Sequence, residues 1–548
     1  MADMNEWGNN TSDSVSGVEN VTNSKKGKKI AIICASVIAV AVGGGAIAYN
    51  ASDYFKNQVK LRMMKPENYY AWVNEENAQE YAAKARENYE KAIEKTKEGQ
   101  SADVSVKYDV SDDVKNYMIN DLFGIEYGVN DEDDMLIDMI NNVSSIEVGS
   151  GANVKQGDID GNMYVNLNDD KLLTVDYAMA EGASEMFMRI PELTERWLGM
   201  NVEQALTDSY YMDDEARELM DAYKEMLKDP ESFISPEELE DMIIRYTKVW
   251  NDSIGDVQLE RSEDIAVCDI NVNYTVISAE LNDEKIIQIA ENFINEAKND
   301  EVFKRVLIDK MNVLSEDEYI STLDEALDDI RNSSGDETVV FETYVDPKGV
   351  IRGCSLKSDD GTVDCKYIVG LDGDQIRGEA YLSEDNVEVF RAELNATDND
   401  NKYSGNMDVT VEEETVSVEF TDFEIVDEES GFFSGDVTVI VPDVDPVSFN
   451  FTSDGASMEA STDITIEDIH IGKFTLKVSR DSGKSPEIPS ADDAYMIDTE
   501  NFNSLSEYVS KEDAENFIRT LCKKVGFNDE YADDAAEAFA RGAYPEEY

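Results

Sequence analysis

The 548 residues include one histidine, five cysteines and ten prolines, and 47 lysines and arginines stand against 120 aspartates and glutamates. Each shortage removes a class of chemistry. With His470 alone, a Ser-His-Asp or Cys-His arrangement would have to use that ring. It lies in Ile469-His470-Ile471, a strand-like run with no serine elbow or reactive-cysteine signature nearby, and reads as a structural histidine. Cys34, Cys268, Cys354, Cys365 and Cys522 include no Cys-x-x-Cys pair, so neither a disulfide-dense scaffold nor a zinc site is expected. The basic deficit leaves a formal charge of −73. Nucleic acid needs a basic footprint, so no nucleic-acid partner is expected, and the same charge opposes lying flat on an anionic bilayer.

What is present begins with Lys25-Lys26-Gly27-Lys28-Lys29 and the charge-free apolar run Ile30–Tyr49. About 20 apolar residues at 1.5 Å rise span the roughly 30 Å of a bilayer core, so the run reads as a single-pass membrane helix. A cleaved signal is the competing reading, with Ala46-Ile47-Ala48 as a small-x-small site; the 29-residue leader before the run and the interfacial Tyr49 favour a retained signal anchor. A lipoprotein signal at Cys34 is set aside because Ile33 stands where a small residue is needed. Lysines touching the helix end place the N-terminus in the cytoplasm and the large C-terminal part outside the cell. Lys25, Lys26, Lys28 and Lys29 balance Asp3, Glu6, Asp13 and Glu19, so the whole acidic excess belongs to residues 51–548. A hydrophobic fraction of 41% with 26 tyrosines and 19 phenylalanines makes that part a folded acidic body and not a disordered tail.

The expected fold class is α+β: a single N-terminal transmembrane helix, a stalk-like helix, then a large antiparallel β-meander sheet packed with a helical block. The expected divisions are a disordered cytoplasmic tail at 1–24, the basic flank and membrane helix at 25–50, a juxtamembrane helix at 51–99, an α+β region at 100–334, the meander at 335–480, and a linker with C-terminal helices at 481–548. Pro66 and Gly99 bracket the stalk helix, whose stripe of Tyr70, Val73, Asn77, Tyr81, Ala85, Tyr89 and Ala92 is expected to pack on the body. Val104, Val106, Tyr108 and Val110 alternate as a strand. Ser235-Pro236-Glu237-Glu238 and Ser315-Glu316-Asp317-Glu318 are capping boxes in a helical block from Pro191 to Arg331, interrupted by the strand-like Ile265–Ser278, which carries Cys268 and is expected to pair with the first sheet. From Glu337 to Val478, turn clusters such as Asp398-Asn399-Asp400-Asn401 and Ser453-Asp454-Gly455 separate alternating runs. Phe474, Leu476 and Val478 share one face against Thr475 and Lys477 on the other, and the helical block is the expected cover of the dry face.

Catalytic residues, cofactors and metal ligands are not expected. Carboxylate pairs able to hydrolyse glycosides occur by chance among 120 acids, so a carboxylate-based hydrolase is the weakest reading. Asp158-Ile159-Asp160-Gly161-Asn162 and Asp372-Gly373-Asp374 cluster oxygens, yet counting from Asp158 puts Met163 and Asp169 where a calcium loop needs glycine and glutamate. One covalent candidate remains, a cross-strand disulfide between Cys354 and Cys365 across the turn Ser358-Asp359-Asp360-Gly361. A four-residue loop with Lys357 facing Thr362 would set the two directly opposite; a three-residue loop with Ser358 facing Thr362 would point them to opposite faces.

The short polar tail, lysine flank, single anchor, and Met64-Lys65-Pro66-Glu67-Asn68-Tyr69-Tyr70 opening an acidic body resemble uncharacterised single-pass surface proteins of clostridial Gram-positive bacteria. That resemblance covers architecture and transfers no activity. The long sheet over helices is also similar, as a fold, to lipid- and lipoprotein-carrier domains. The expected function is therefore non-enzymatic binding or sensing at the cell envelope, with an envelope or extracellular partner. The alternative is a carrier holding a lipid or other apolar ligand between sheet and helices.

Overall fold

The computed structural model describes residues 51–544 apart from 130, 181–183, 203–213, 333–337, 412–413, 428–429, 443, 467–468 and 498–506. The expected tail and the anchor Ile30–Tyr49 lie outside the described residues. Among the described residues no helix is long and apolar enough to cross a membrane.

Eleven helices and twenty strands, nearly all antiparallel, make the chain α+β among the described residues. The first elements are α1 (Ala51–Met63), α2 (Pro66–Glu98), β1 (Gln100–Val110), α3 (Asp112–Tyr117) and α4 (Asp131–Asn142). Strands β2 (Ser145–Lys155), β3 (Asp158–Leu167), β4 (Asp170–Ala180), β5 (Glu185–Arg189) and β6 (Trp197–Asn201) follow, then α5 (Asp214–Lys228) and α6 (Pro236–Ile254). A hairpin of β7 (Gln258–Val267) and β8 (Ile270–Asn282) leads into α7 (Asp283–Asn299), α8 (Glu301–Lys304) and α9 (Glu316–Asn332). Next come β9 (Thr338–Val345), β10 (Ile351–Ser358), β11 (Val363–Asp372), β12 (Gln375–Glu384), β13 (Val387–Asn399), β14 (Lys402–Val411) and β15 (Glu414–Asp427). The chain continues with β16 (Phe432–Ile440), β17 (Val447–Ser453), β18 (Ser457–Ile466), β19 (Ile469–Ser482), β20 (Ala494–Met496), α10 (Lys511–Lys524) and α11 (Asp529–Ala543).

Local chemistry sets many of these boundaries. Pro66 opens α2 and Gly99 follows its end at φ +95°, a backbone conformation that favours glycine. Ser235 caps α6 in a complete capping box with Glu238, and Ser315 and Glu318 exchange the same two bonds ahead of α9. The tight turns at Asn168-Asp169, Asp385-Asn386 and Asp400-Asn401 each hold two successive residues at positive φ, the geometry of two-residue hairpins, with Asn and Asp where glycine is the usual choice.

Contacts divide the described residues into two compact units, the first within 51–90, 233–397 and 407–415, the second within 91–232, 398–406 and 416–544. In the first unit β7 to β13 pair in chain order as an antiparallel meander. Ile265–Ser278 is thus not one strand pairing with the first sheet. It is part of the β7–β8 hairpin, whose turn holds Cys268 at φ +49°, and β8 pairs with β9. Helices cover one face: Leu61, Tyr69, Tyr70 and Val73 from α1 and α2, and Trp250 and Ile254 from α6, pack on Ile277, Ala279, Leu281, Phe341 and Leu356. Trp250 Nε1 donates to the Tyr70 hydroxyl at 2.9 Å and meets the Phe341 ring edge-on. The sheet's other face closes on itself, as Val267, Ile270, Tyr274, Tyr344 and Ile368 form a second core and Tyr274 Oη donates to the Val369 carbonyl at 2.7 Å. The stripe of α2 packs as expected at Tyr70 and Val73, whereas Ala92 is exposed.

In the second unit the spatial order is β15-β16-β17-β18-β19-β1-β2-β3-β4-β5-β6-β20, antiparallel throughout except for the parallel pair β6–β20. Strand β1 lies between β19 and β2, a pairing across more than 360 positions of sequence (Gln100 opposite Ser482, Val110 opposite Gly472) that no local pattern announces. A small core of Tyr508, Val509, Ala514, Ala540 and Tyr544 holds α10 and α11 together, with Leu193, Leu198 and Tyr495 against it.

Candidate functional site

The second unit's sheet separates its side chains cleanly by face, because period-two alternation is kept in register from strand to strand. One row of partners runs Phe451, Ala460, Leu476, Val106, Val148, Val165, Leu173 across β17, β18, β19, β1, β2, β3 and β4. The adjacent row is Met458, Val478, Val104, Ser150, Met163, Val175. On the same face Ile159, Met179, Met186 and Met200 align across β3 to β6, and Tyr177, Met188 and Leu198 beside them. Aromatic contacts extend the face at its far end: Phe433 lies 4.7 Å from both Phe423 and Phe451, and Tyr108 stacks on Phe474 at 4.6 Å.

This apolar face is open in part: Ala460 is buried and Leu198 packs on the core of α10 and α11, but side chains between them are exposed on β1, β2, β3 and β5. Val104, Val106, Val148, Met163 and Met188 are 44%, 45%, 53%, 52% and 48% exposed, and Ile146, Val154 and Met186 are exposed too. Monomeric proteins seldom leave a contiguous apolar area of several hundred Å² in water without a use for it. The polar face is, by contrast, partly closed over by its own long side chains. Tyr164 lies across Gly149, where an added Cβ would sit 2.4 Å from the ring. Asn166 Nδ2 donates to Glu147 at 2.9 Å and Lys107 pairs with Asp169 at 2.7 Å, so Ser105 and Ser145 beneath are buried. Burial pulls the Glu147 carboxyl up, but hydrogen bonds from Asn166, Ser105 and Tyr164 outweigh it and leave the group below its ordinary value.

The expected cover of the meander's dry face by the helical block is found in the first unit, where α6 packs on its sheet; in the second unit Phe474, Leu476 and Val478 are half-buried, and the exposed apolar side chains of that face lie on β1, β2, β3 and β5. The alternation itself was readable in Val104, Val106 and Tyr108. The methionines were not singled out, although Met186-Phe187-Met188 carries the same period of two.

Cys354 and Cys365 take neither expected register. Ser358 lies across from Val363, whose N–H and C=O both bond the Ser358 hydroxyl at 2.9 and 3.2 Å, and Gly361 at φ +75° closes a loop of residues 359–362. Cys354 then stands opposite Tyr367, and Cys365 opposite Leu356. The two thiols share a face as diagonal neighbours, about 7–8 Å apart at Cα, beyond the span of a disulfide, and no bridge links them. They pack on the helix-covered core of the first unit.

The other candidates are occupied by structural bonds. His470 Nε2 lies 3.4 Å from Asp463 Oδ1 with its ring half exposed. Asp160 accepts from Asn153 and from the Glu487 backbone N–H, and Asp372 ends β11 at the turn Gly373-Asp374. Among the described residues no group of three or more His, Cys, Asp or Glu side chains is placed to hold a metal ion. A pocket of about 120 Å³ in the first unit is lined by Lys56, Trp72, Glu76, Asn77, Glu80 and Lys348. Its groups answer one another: Lys56 pairs with Glu76 at 2.5 Å, Trp72 Nε1 donates to Glu76, and the Lys56 and Lys60 ammonium groups stand 5.6 and 5.5 Å over the Trp72 ring. No protein-family model, curated protein or solved structure matches this chain.

Proposed function

We propose that this chain is a membrane-anchored, non-enzymatic binding protein of the cell envelope, tethered through Ile30–Tyr49 with its large C-terminal part extracellular, and that the open apolar face of the second unit is its binding surface. One observation carries this reading: Val104 and Val106 of β1, Ile146, Val148 and Val154 of β2, Met163 of β3 and Met186 and Met188 of β5 lie on one face of the sheet with their side chains exposed. Exposed side chains of that kind raise the free energy of the free protein, and covering them returns about 25 cal/mol per Å². The space between sheet and helices in the first unit is taken up by core side chains, so an apolar ligand, the alternative occupant, would also have to use the open face.

Methionine oxidation reports the occupancy of this face directly, because thioethers react with peroxide according to their exposure. The full-length chain, purified and placed in lipid nanodiscs, is expected to oxidise quickly at Met163 and Met188. The same residues in intact cells should be protected relative to Met63, which is exposed and lies in the first unit. Equal oxidation of all three in cells would refute the binding reading.

A further inference from the structure

Resting on the anchored reading, we propose that α1 and the turn after it bind the anionic phospholipid headgroups of the bilayer that holds the anchor. Position is the first ground. Asn50 alone separates the apolar run Ile30–Tyr49 from α1, whose 13 residues rise about 20 Å along the helix. So short a tether keeps α1 near the bilayer surface, and headgroups meet it at high effective concentration.

Charge is the second ground, and it selects anionic lipid. In a chain of −73, residues 51–65 carry Lys56, Lys60, Arg62 and Lys65 against Asp53 alone. Lys56 is taken up by Glu76, and the Lys60 ammonium stands over the Trp72 ring with Glu76 close by. Arg62 and Lys65 are exposed and make no ion pair among the described residues. Neither has to give up a carboxylate to reach a phosphate, and each Lys or Arg within a Debye length of an anionic surface is drawn to it. The acidic remainder of the chain is repelled by the same surface, which confines the contact to this patch.

Mounting is the third ground. The inner side of α1 is fixed to the first unit: Asn57 Nδ2 donates to the Pro347 carbonyl at 3.2 Å, Asn57 Oδ1 accepts from Tyr69 Oη at 2.8 Å, and Leu61 is buried. Arg62 is left on the outer side, and Lys65 follows in the turn before α2. Headgroups held by these two side chains would therefore orient the first unit on the bilayer. The attraction acts through hydrated headgroups without insertion, so Met63 stays open to peroxide.

The test compares the full-length chain in nanodiscs of phosphatidylcholine alone and in nanodiscs with a one-third share of phosphatidylglycerol. Acetylation by acetic anhydride is read by mass spectrometry at Lys65 and, for reference, at exposed Lys84 of α2. An amine held against phosphate stays protonated and unreactive. Phosphatidylglycerol should slow Lys65 at least about threefold and leave Lys84 unchanged, and about 0.5 M salt should restore the rate. Arg62→Ser removes one of the two unpaired cations and should return most of the Lys65 reactivity without altering the far-ultraviolet circular dichroism; if this variant misfolds, the lipid comparison on the natural chain still decides. Slowing of Lys65 that survives Arg62→Ser, or that Lys84 shares, would be the general field of the surface and would overturn the proposal. Equal slowing by millimolar inorganic phosphate in phosphatidylcholine discs would overturn it in favour of a free-anion site. A chain that leaves both kinds of disc would refute the anchored reading, whereas a chain that stays in both with Lys65 equally reactive would refute this inference alone.

Discussion

Strands β8 and β1 are written in the same alternating code and end in opposite surroundings. Ile277 and Leu281 of β8 are 1% and 2% exposed, whereas Val104 and Val106 of β1 are nearly half exposed. The difference lies in the helices that accompany each sheet. Those of the first unit bring Tyr69, Tyr70, Trp250 and Ile254, large side chains that fill the space over a sheet. Those of the second bring less: α11 buries Ala532, Ala536 and Ala540, and α5 leaves Leu219 and Tyr223 exposed. An alternating strand specifies a dry face. What covers that face depends on apolar volume supplied elsewhere in the chain, and in the second unit the described residues do not supply enough.

Core truncation should show the contrast most strongly. Leu281→Ala in the first unit is expected to cost about 2–5 kcal/mol, and Val148→Ser in the second less than about 1 kcal/mol, read from denaturant unfolding of the full-length chain. Similar losses at both positions would mean that the second face is covered after all.

A smaller effect is expected at Asp300, buried at the start of α8. Its carboxylate accepts from the Val302 and Phe303 backbone N–H groups at 2.9 and 3.3 Å and from Tyr246 Oη at 3.0 Å, and it pairs with Arg245. Asp300→Ala removes a cap and strands those donors, so about 2–3 kcal/mol should be lost from the first unit, while peroxide reactivity of Met163 in the second unit stays unchanged.

Smaller again is an acid-dependent loss. Arg305 donates two bonds to Glu238 at 2.7 and 2.8 Å and holds its carboxyl down to about 2, against an ordinary value of 4.5. A carboxyl depressed on folding stabilises fully above its unfolded value, and the gain disappears as pH falls from about 4.5 towards 2. Glu238→Gln should therefore lower the melting temperature at pH 7 and flatten its fall below pH 4.5; parallel curves for the two proteins would remove the pair from the account.

The smallest expected effect is at the cysteines. Mild oxidation should leave the melting temperature unchanged and non-reducing peptide maps free of a Cys354–Cys365 link, because diagonal partners stand too far apart. Recovery of that link would show that the hairpin slips out of its observed register.

Much of this was open to reading along the chain. Capping boxes at Ser235 and Ser315, the Pro66 start and Gly99 stop, and the Asn-Asp turns all act within four residues, so their geometry follows from neighbours in sequence. The register of the hairpin carrying Cys354 was not readable in the same way. It turned on the Ser358 hydroxyl bonding both backbone groups of Val363, a choice among turns of nearly equal energy. Nor was the curl that buries Tyr274 against Val369, since it needs β8 and β11 to meet without pairing.

By itself the sequence determined composition-level facts and local ones: an acidic body with one charge-free apolar run before it, the α+β class, the places where helices begin and strands turn, and which residues share a face. Those follow from covalent spacing and short-range bonding. Tertiary structure alone decided that β1 inserts between β19 and β2, that helices cover strands of the first unit while apolar side chains of β1, β2, β3 and β5 in the second stay exposed among the described residues, and that methionines from β3 to β6 gather on one surface. These outcomes depend on which distant segments bury area against each other, and no window of sequence contains both sides of that contact.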